Sequence, residues 1–139
     1  MASTLKINTL TGVTTAGSIA VTGEGNSTTT NLQQGLAKAW VFAGDDASLT
    51  DNFNIASGTD NGTGDYSYAI TNDMANATYA ICSQASNAVA NDPVVSCNPS
   101  NDVTAAGSFR LQIGHTESGS GGFTQLDKVH YCAIFGDLA

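Results

Sequence analysis

Positive charge is nearly missing from this chain. Its 139 residues carry four basic side chains, Lys6, Lys38, Arg110 and Lys128, against twelve acidic ones, for a net charge of −8. Phosphate neutralisation drives nucleic-acid affinity, and these four bases form no cluster, so nucleic acid is not an expected partner. Anionic membrane surfaces are disfavoured for the same reason. Long apolar runs are missing too. None approaches the roughly 18 residues of a membrane-spanning helix. The opening MASTLKINTLTG has no apolar signal core, so classical secretion is not expected. Charged residues make up only 12% of the sequence, against about 25% in an average soluble domain, so helices laced with ion pairs are not expected.

Chemistry-bearing residues are equally sparse. The two histidines, His115 and His130, have no nucleophile elbow beside them and no second histidine at ligand spacing. Both read as structural. Glu24 and Glu117 are the only glutamates, and six aspartates, Asp45, Asp46, Asp51, Asp60, Asp65 and Asp73, border Gly, Asn or one another in turn-like sequence. There the carboxylate bonds its local backbone, so no acid and base pair of the glycosidase kind is assigned. The run Asp60 to Asp65 has some oxygen ligands of a calcium loop but lacks the glutamate at the twelfth position, which is Thr71. No catalytic residue, cofactor or metal is assigned. The cysteines, Cys82, Cys97 and Cys132, are odd in number and fit no zinc spacing. Cys82 and Cys132 sit in apolar runs and read as buried free thiols, with a Cys82–Cys97 pair as an open alternative.

What is present is turn and strand chemistry. Gly, Ser, Thr and Asn account for 57 of the 139 residues, and hydrophobic residues for 41%. The first four are mediocre or poor helix formers, while the apolar content is too high for a disordered chain. From Gly35 onward, short runs alternate apolar and polar and are interrupted every eight to twelve residues by Gly, Asn and Asp. A strand has period two, so this is the pattern of a compact all-β domain, an antiparallel β-sandwich or jelly-roll-like head of about eight or nine short strands.

Residues 1–34 read differently. Leu5, Ile7, Leu10, Ile19 and Val21 are nearly all their large apolar groups, too few to offset the ordering of such a segment at about 1–2 kcal/mol per residue. They are expected to form an arm for attachment or trimer contacts, docked on the rest of the chain, on a sister subunit or on another protein, or else loose, with short strands at Thr4–Leu10 and Ser18–Thr22. A turn or two of helix is expected over Thr28–Gln34, capped by Asn31 and stopped by Gly35.

Residues 35–139 form the head. Leu36, Trp40 and Phe42 alternate with Ala37, Ala39 and Val41, so both faces of that strand are largely apolar. Such a strand is either buried on both sides or turned toward a subunit interface. Phe53, Ile55, Tyr66 and Tyr68 join Leu36, Trp40 and Phe42 as candidate core or interface residues. Asn61-Gly62 suits a type I′ turn. Ala85–Thr104 reads as a long polar loop, and His115–Phe123 as a second one. Asn87, Asn91, Asn98, Asn101, His115 and Glu117 are therefore candidate exposed recognition residues. The last strand, Lys128–Phe135, sets Val129, Tyr131, Ala133 and Phe135 on one side. Trp40, Tyr66, Tyr68 and Tyr131 are amphipathic rings suited to stacking on sugars, filling an interface or pairing across strands.

Several blocks resemble small tail-fibre-like and virion structural proteins of bacteriophages, of the cyanophage and marine phage type. They are Asn31–Val41 (NLQQGLAKAWV), Asp51–Ile55 (DNFNI), Thr59–Tyr66 (TDNGTGDY), Ala75–Tyr79 (ANATY) and the leader Gly17–Asn26 (GSIAVTGEGN). The likeness covers roughly residues 1–83. It implies a β-sandwich head assembled as a homotrimer, a virion-surface location after assembly in the host cytoplasm, and contacts with other virion proteins and a host surface glycan or protein. The resulting expectation is a non-enzymatic tail-fibre or tail-tip subunit. A capsid decoration or cement protein or head fibre is the first alternative, separated by where the arm docks. A free carbohydrate-binding module, separated by being a monomer, is the second.

Overall fold

The protein was analysed as a computed structural model, which describes residues 4–12, 19–22, 29–86, 95–116 and 122–139, without the side chains of 95–103 and 116. The chain divides into two compact units, Met1–Leu36 and Ala37–Ala139. Among the described residues there is no helix, and eleven strands pair in antiparallel sheets.

In the first unit, β1 (Ala20–Thr22) pairs with β2 (Thr29–Asn31) in the register Ala20↔Asn31. The Leu32 amide closes the pair by donating to Ile19 O at 2.8 Å. The expected strand at Thr4–Leu10 does not form over its described residues. Alternation alone supplies no partner for the backbone groups, and a strand without a neighbour is not stable in water. The expected helix is also absent, although its cap is present. Asn31 Oδ1 accepts from the amides of Gln33 (2.8 Å) and Gln34 (3.2 Å), and Gly35 N donates to Asn31 O at 3.3 Å. One turn forms and stops, because a helix this short does not recover the cost of its nucleus.

The second unit is an all-β, sandwich-like arrangement of two sheets. The four-stranded sheet has the order β4 (Leu49–Phe53), β3 (Ala39–Ala43), β11 (His130–Phe135), β7 (Ala80–Ala85). The five-stranded sheet contains β5 (Ile55–Gly62), β6 (Asp65–Ile70), β8 (Val95–Ala105), β9 (Ser108–Thr116) and β10 (Phe123–Gln125). Strand β9 is its centre, with β8 along one edge and β6 followed by β10 along the other. The two sheets share one core. Ala39, Val41, Cys132 and Ile134 from the first meet Tyr66, Tyr68, Phe109, Leu111 and Ile113 from the second.

Three local departures from the sequence expectation have physical causes. Phe53 and Ile55 alternate with Asn52 and Asn54 in the sequence, yet the run Asn52–Ile55 is not one strand. Asn54 has φ 59°, and the chain leaves one sheet there and enters the other. Asparagine tolerates this left-handed backbone because its short amide bonds locally. Its Nδ2 donates to Lys38 O (3.0 Å) and Asn72 O (3.1 Å), and its Oδ1 accepts from the Asn72 amide at 2.8 Å. Asn54→Ala should therefore cost about 2–3 kcal/mol, from φ strain plus lost hydrogen bonds, and Asn54→Gly about 1–2 kcal/mol. Urea denaturation should rank stability Asn54, then Gly, then Ala. Glycine proving worse than alanine would refute the corner argument.

The β5–β6 turn is not centred on Asn61-Gly62. The register Gly62↔Asp65 leaves Thr63 and Gly64 as the two turn residues, with positive φ at Gly62 (129°) and Gly64 (63°) and a shift in register between Asp60 and Gly62. The segment expected as a loop from Ala85 to Thr104 holds β8, which follows β9 from Val95↔His115 to Ala105↔Ser108 around an irregularity between Pro99 and Thr104. The alternation expected over Lys128–Phe135 is that of β11, and the fold settles which side is inner: His130, Cys132 and Ile134 are buried, while Tyr131 faces solvent.

Candidate binding face

Strand β3 positions the candidate site because its two faces carry different sizes of side chain. Ala39, Val41 and Ala43 turn inward and are buried. These small groups leave room for the wholly buried Tyr66 and Tyr68 of the opposite sheet. Trp40 and Phe42 then point outward by the period of the strand. Pairing sets two rows of side chains across this outer surface. One reads Phe53, Trp40, Ala133, Cys82, and the other Asp51, Phe42, Tyr131, Gln84.

The Phe42 and Tyr131 rings stack with centroids 4.8 Å apart and an interplanar angle of 11°. Trp40, Phe53 and Tyr131 are 36%, 52% and 45% exposed. The rows border an open groove of about 580 Å³ whose lining carries one charged side chain, Asp51. Gln84 and Asp51 of the outer row supply its polar side chains. The surface thus combines flat apolar rings with a few hydrogen-bonding groups and no cation.

Beneath this sheet lies a polar cluster of a different kind. His130 is fully buried, and its Nε2 stands 2.5 Å from the Tyr68 hydroxyl while Nδ1 stands 2.8 Å from Lys128 O. The Lys128 carbonyl only accepts, so Nδ1 carries the proton and Nε2 accepts from Tyr68. The ring also stacks on Tyr66 at 4.6 Å. The Tyr66 hydroxyl lies 2.8 Å from Asp45 O and 3.0 Å from Asp127 Oδ1. Burial, then the Asp127 carboxylate, pushes the Tyr66 hydroxyl well above its usual range. Burial pushes the Tyr79 hydroxyl up to about 12, and it donates to Ser108 O at 2.8 Å. These hydroxyls hold protons and fix strands. With His130 closed off from solvent, the cluster is a polar core and not a reaction site.

The other proposed chemistry is occupied by structure. Arg110 pairs with Asp65 across β9 and β6, and that hydrogen bond holds the Asp65 carboxyl below the usual carboxylate range. Asp60 Oδ1 accepts the Gly62 amide at 2.8 Å. Both ends of the calcium-like run are thereby engaged, and among the described residues no group of three His, Cys, Asp or Glu is placed to hold a metal. Cys132 is buried as expected, but Cys82 is exposed on the outer row, not buried.

The residues singled out in the sequence scatter accordingly. Ile55, Tyr66 and Tyr68 lie in the core, whereas Trp40, Phe42 and Phe53 gather on the outer face. Leu36 is exposed, as are Leu5, Ile7, Leu10 and Val21, and Ile19 is half-buried. Asn87, Asn91 and Glu117 fall outside the described residues, and Asn98 and Asn101 lie on β8 with undescribed side chains. His115 is not in an exposed loop. It is buried within β9, opposite Val95 on one side and Thr124 on the other, because the Phe109, Leu111, Ile113 alternation simply continues through it. Asp51, Cys82 and Gln84 are the face residues that sequence reasoning missed. Each becomes part of the site only through cross-strand register. Compared with known proteins, the chain matches no family model, no curated protein and no solved structure.

Proposed function

We propose that this chain is a non-enzymatic structural subunit of a bacteriophage virion, of tail-fibre or tail-tip type. It assembles as a homotrimer, attaches to other virion proteins through its N-terminal arm and presents the β-sandwich unit to the host surface. The observation that carries the reading is the state of the arm. Leu5, Ile7, Leu10 and Val21 are all at least half exposed, on a segment whose only strand pairing among the described residues is a three-residue ribbon. A ribbon of that size is marginal in water, so these side chains need a surface supplied from outside. The sequence blocks that resemble phage fibre-like proteins say which surface that is. The charge of −8 suits a particle-surface protein that must stay soluble.

The test uses the full chain carrying Leu5→Asp, Ile7→Asp and Leu10→Asp together. Native mass spectrometry should read three times 14.1 kDa for the unaltered chain and 14.1 kDa for the variant, with unchanged β-sheet circular dichroism. Antibody against the chain should label tail structures on particles from an infected culture. An unaltered chain that is monomeric and unlabelled on particles would end this reading.

A further inference from the structure

The outer rows of the four-stranded sheet carry large apolar side chains that stay exposed among the described residues. Strand β3 is apolar on both sides, yet only Ala39, Val41 and Ala43 are covered by the opposite sheet. Size decides what the other side is for. Large aromatic side chains bury about 150–250 Å² each, so Trp40, Phe53 and Tyr131, at 36%, 52% and 45% exposed, present roughly 200–330 Å² between them. A standard protein interface takes about 800 Å² from each partner, which this patch does not approach. It matches instead the single functional patch of a monomer, about 300–600 Å². The groove of about 580 Å³ falls inside the range of small-ligand sites.

Chemistry narrows the ligand. A ring face offers a flat apolar surface, and the Gln84 amide and Asp51 carboxylate at the same groove donate and accept hydrogen bonds. A ligand that satisfies both has an apolar face and a rim of hydroxyl groups, which is the chemistry of a pyranose ring. The groove has no Lys or Arg, and its one charge is the Asp51 carboxylate on a chain of net charge −8. Uronates and sialylated sugars would meet uncompensated like charge. We propose that this face binds a neutral glycan, with sugar rings lying on Trp40, Phe53 and the Phe42–Tyr131 pair and their hydroxyls bonding to Asp51 and Gln84. The assignment deepens the host-surface reading above by naming the face and the ligand class.

Trp40 is the only tryptophan, so its emission reports on this face alone. The full chain is titrated with cellohexaose, mannohexaose and β-1,4-galactohexaose, with polygalacturonate as the anionic probe, by Trp40 fluorescence and by calorimetry. At least one neutral hexasaccharide should give a saturable change, and polygalacturonate none. Phe53→Ala and Gln84→Ala should each weaken binding, Phe53→Ala by about ten-fold, and Trp40→Ala should abolish the calorimetric signal. Asp51→Asn, which leaves every ring in place, keeps the test decisive if a ring variant fails to fold: it should change affinity for the neutral sugar while stability holds. No response to any neutral probe, or equal binding of polygalacturonate, overturns the proposal. So does a blue shift of Trp40 that follows protein concentration together with a rise in mass, since that assigns the face to a second copy. Sugar binding by a chain absent from virions would retain this inference and end the virion reading.

Discussion

Gly64→Ala is expected to destabilise the second unit by about 2–5 kcal/mol, and Gly64→Asn by nearly as much. Gly64 occupies the β5–β6 turn with φ 63°, where any L side chain costs about 1–2 kcal/mol and asparagine the least. Space adds to that. A Cβ here would run into Ile113 O, stand 2.7 Å from Leu126 N and 3.0 Å from Gln125 Cβ. Two of those three are backbone atoms in paired structure, so relief requires a strand to move, and overpacking of this kind costs about 1–3 kcal/mol. The position also ties several segments together. Gly64 N donates to Asp127 Oδ1 at 2.7 Å, Ile113 N to Gly64 O at 2.8 Å, and Leu126 N to Ile113 O at 2.9 Å. Moving the turn therefore loosens β9, β10 and the approach to β11 at once. Thermal unfolding should fall by roughly 10 °C or more. Gly62 differs, since nothing lies within 4 Å of its would-be Cβ and only its φ of 129° demands glycine. If Gly64→Asn restored nearly full stability, backbone conformation alone would explain Gly64 and the packing argument would fail.

Period-two alternation made β6 and β9 legible, because in each the buried positions are the larger or more apolar set of a contiguous run; it also located β3 but not its inner face, since there the buried Ala39, Val41 and Ala43 are the smaller set. It failed for β8, whose residues are polar and include Pro99, since that strand is ordered by the neighbour it pairs with and not by its own pattern. It left the inner face of β11 open for another reason. Tyr131, Ala133 and Phe135 on one side, and His130, Cys132 and Ile134 on the other, are close to balanced in apolar content. The choice of inner face is made by register against β3 and β7, contacts that span up to about a hundred residues of chain. The candidate face was half legible for the same reason. Trp40, Phe42 and Phe53 stood out as large apolar groups for a core or interface, and the fold turns them outward. Asp51, Cys82, Gln84 and Tyr131 join them only when the registers of β3 with β4 and of β11 with β3 and β7 are known. His115 was misplaced because a histidine followed by a polar run resembles a strand end, whereas β10 extends the pairing through it.

The fully buried His130 should make stability depend on pH in a window where no carboxylate titrates. Burial holds its pKa below the ordinary 6.5, with the hydrogen bond to Lys128 O opposing only part of the effect. The unfolded chain therefore takes up this proton first as pH falls. Stability is complete above about 6.5 and declines below it until the folded-state pKa is reached, by at most about 1.4 kcal/mol per pH unit for one proton. The groups around the ring do not compensate a charge. Tyr66 and Tyr68 are neutral, and the cross-strand partners are Ala43 and Ala85. Protonation of Nε2 also removes the acceptor that Tyr68 uses. Asp65 and Asp46, whose folded pKa values are lowered, withdraw their contributions only below about 3.8, well clear of this range. Urea denaturation from pH 8 to pH 5 should therefore show a loss of about 1–2 kcal/mol beginning near 6.5. His130→Leu should flatten that slope and lower stability at pH 8 by about 1–3 kcal/mol, because the buried Tyr68 hydroxyl loses the His130 Nε2 acceptor. Adding Tyr68→Phe should recover part of that loss, since removing both partners of a buried hydrogen bond costs less than removing one. A slope that survives in His130→Leu would place the titrating group elsewhere, and a double variant weaker than the sum of the two single ones would refute the hydrogen bond between these two rings.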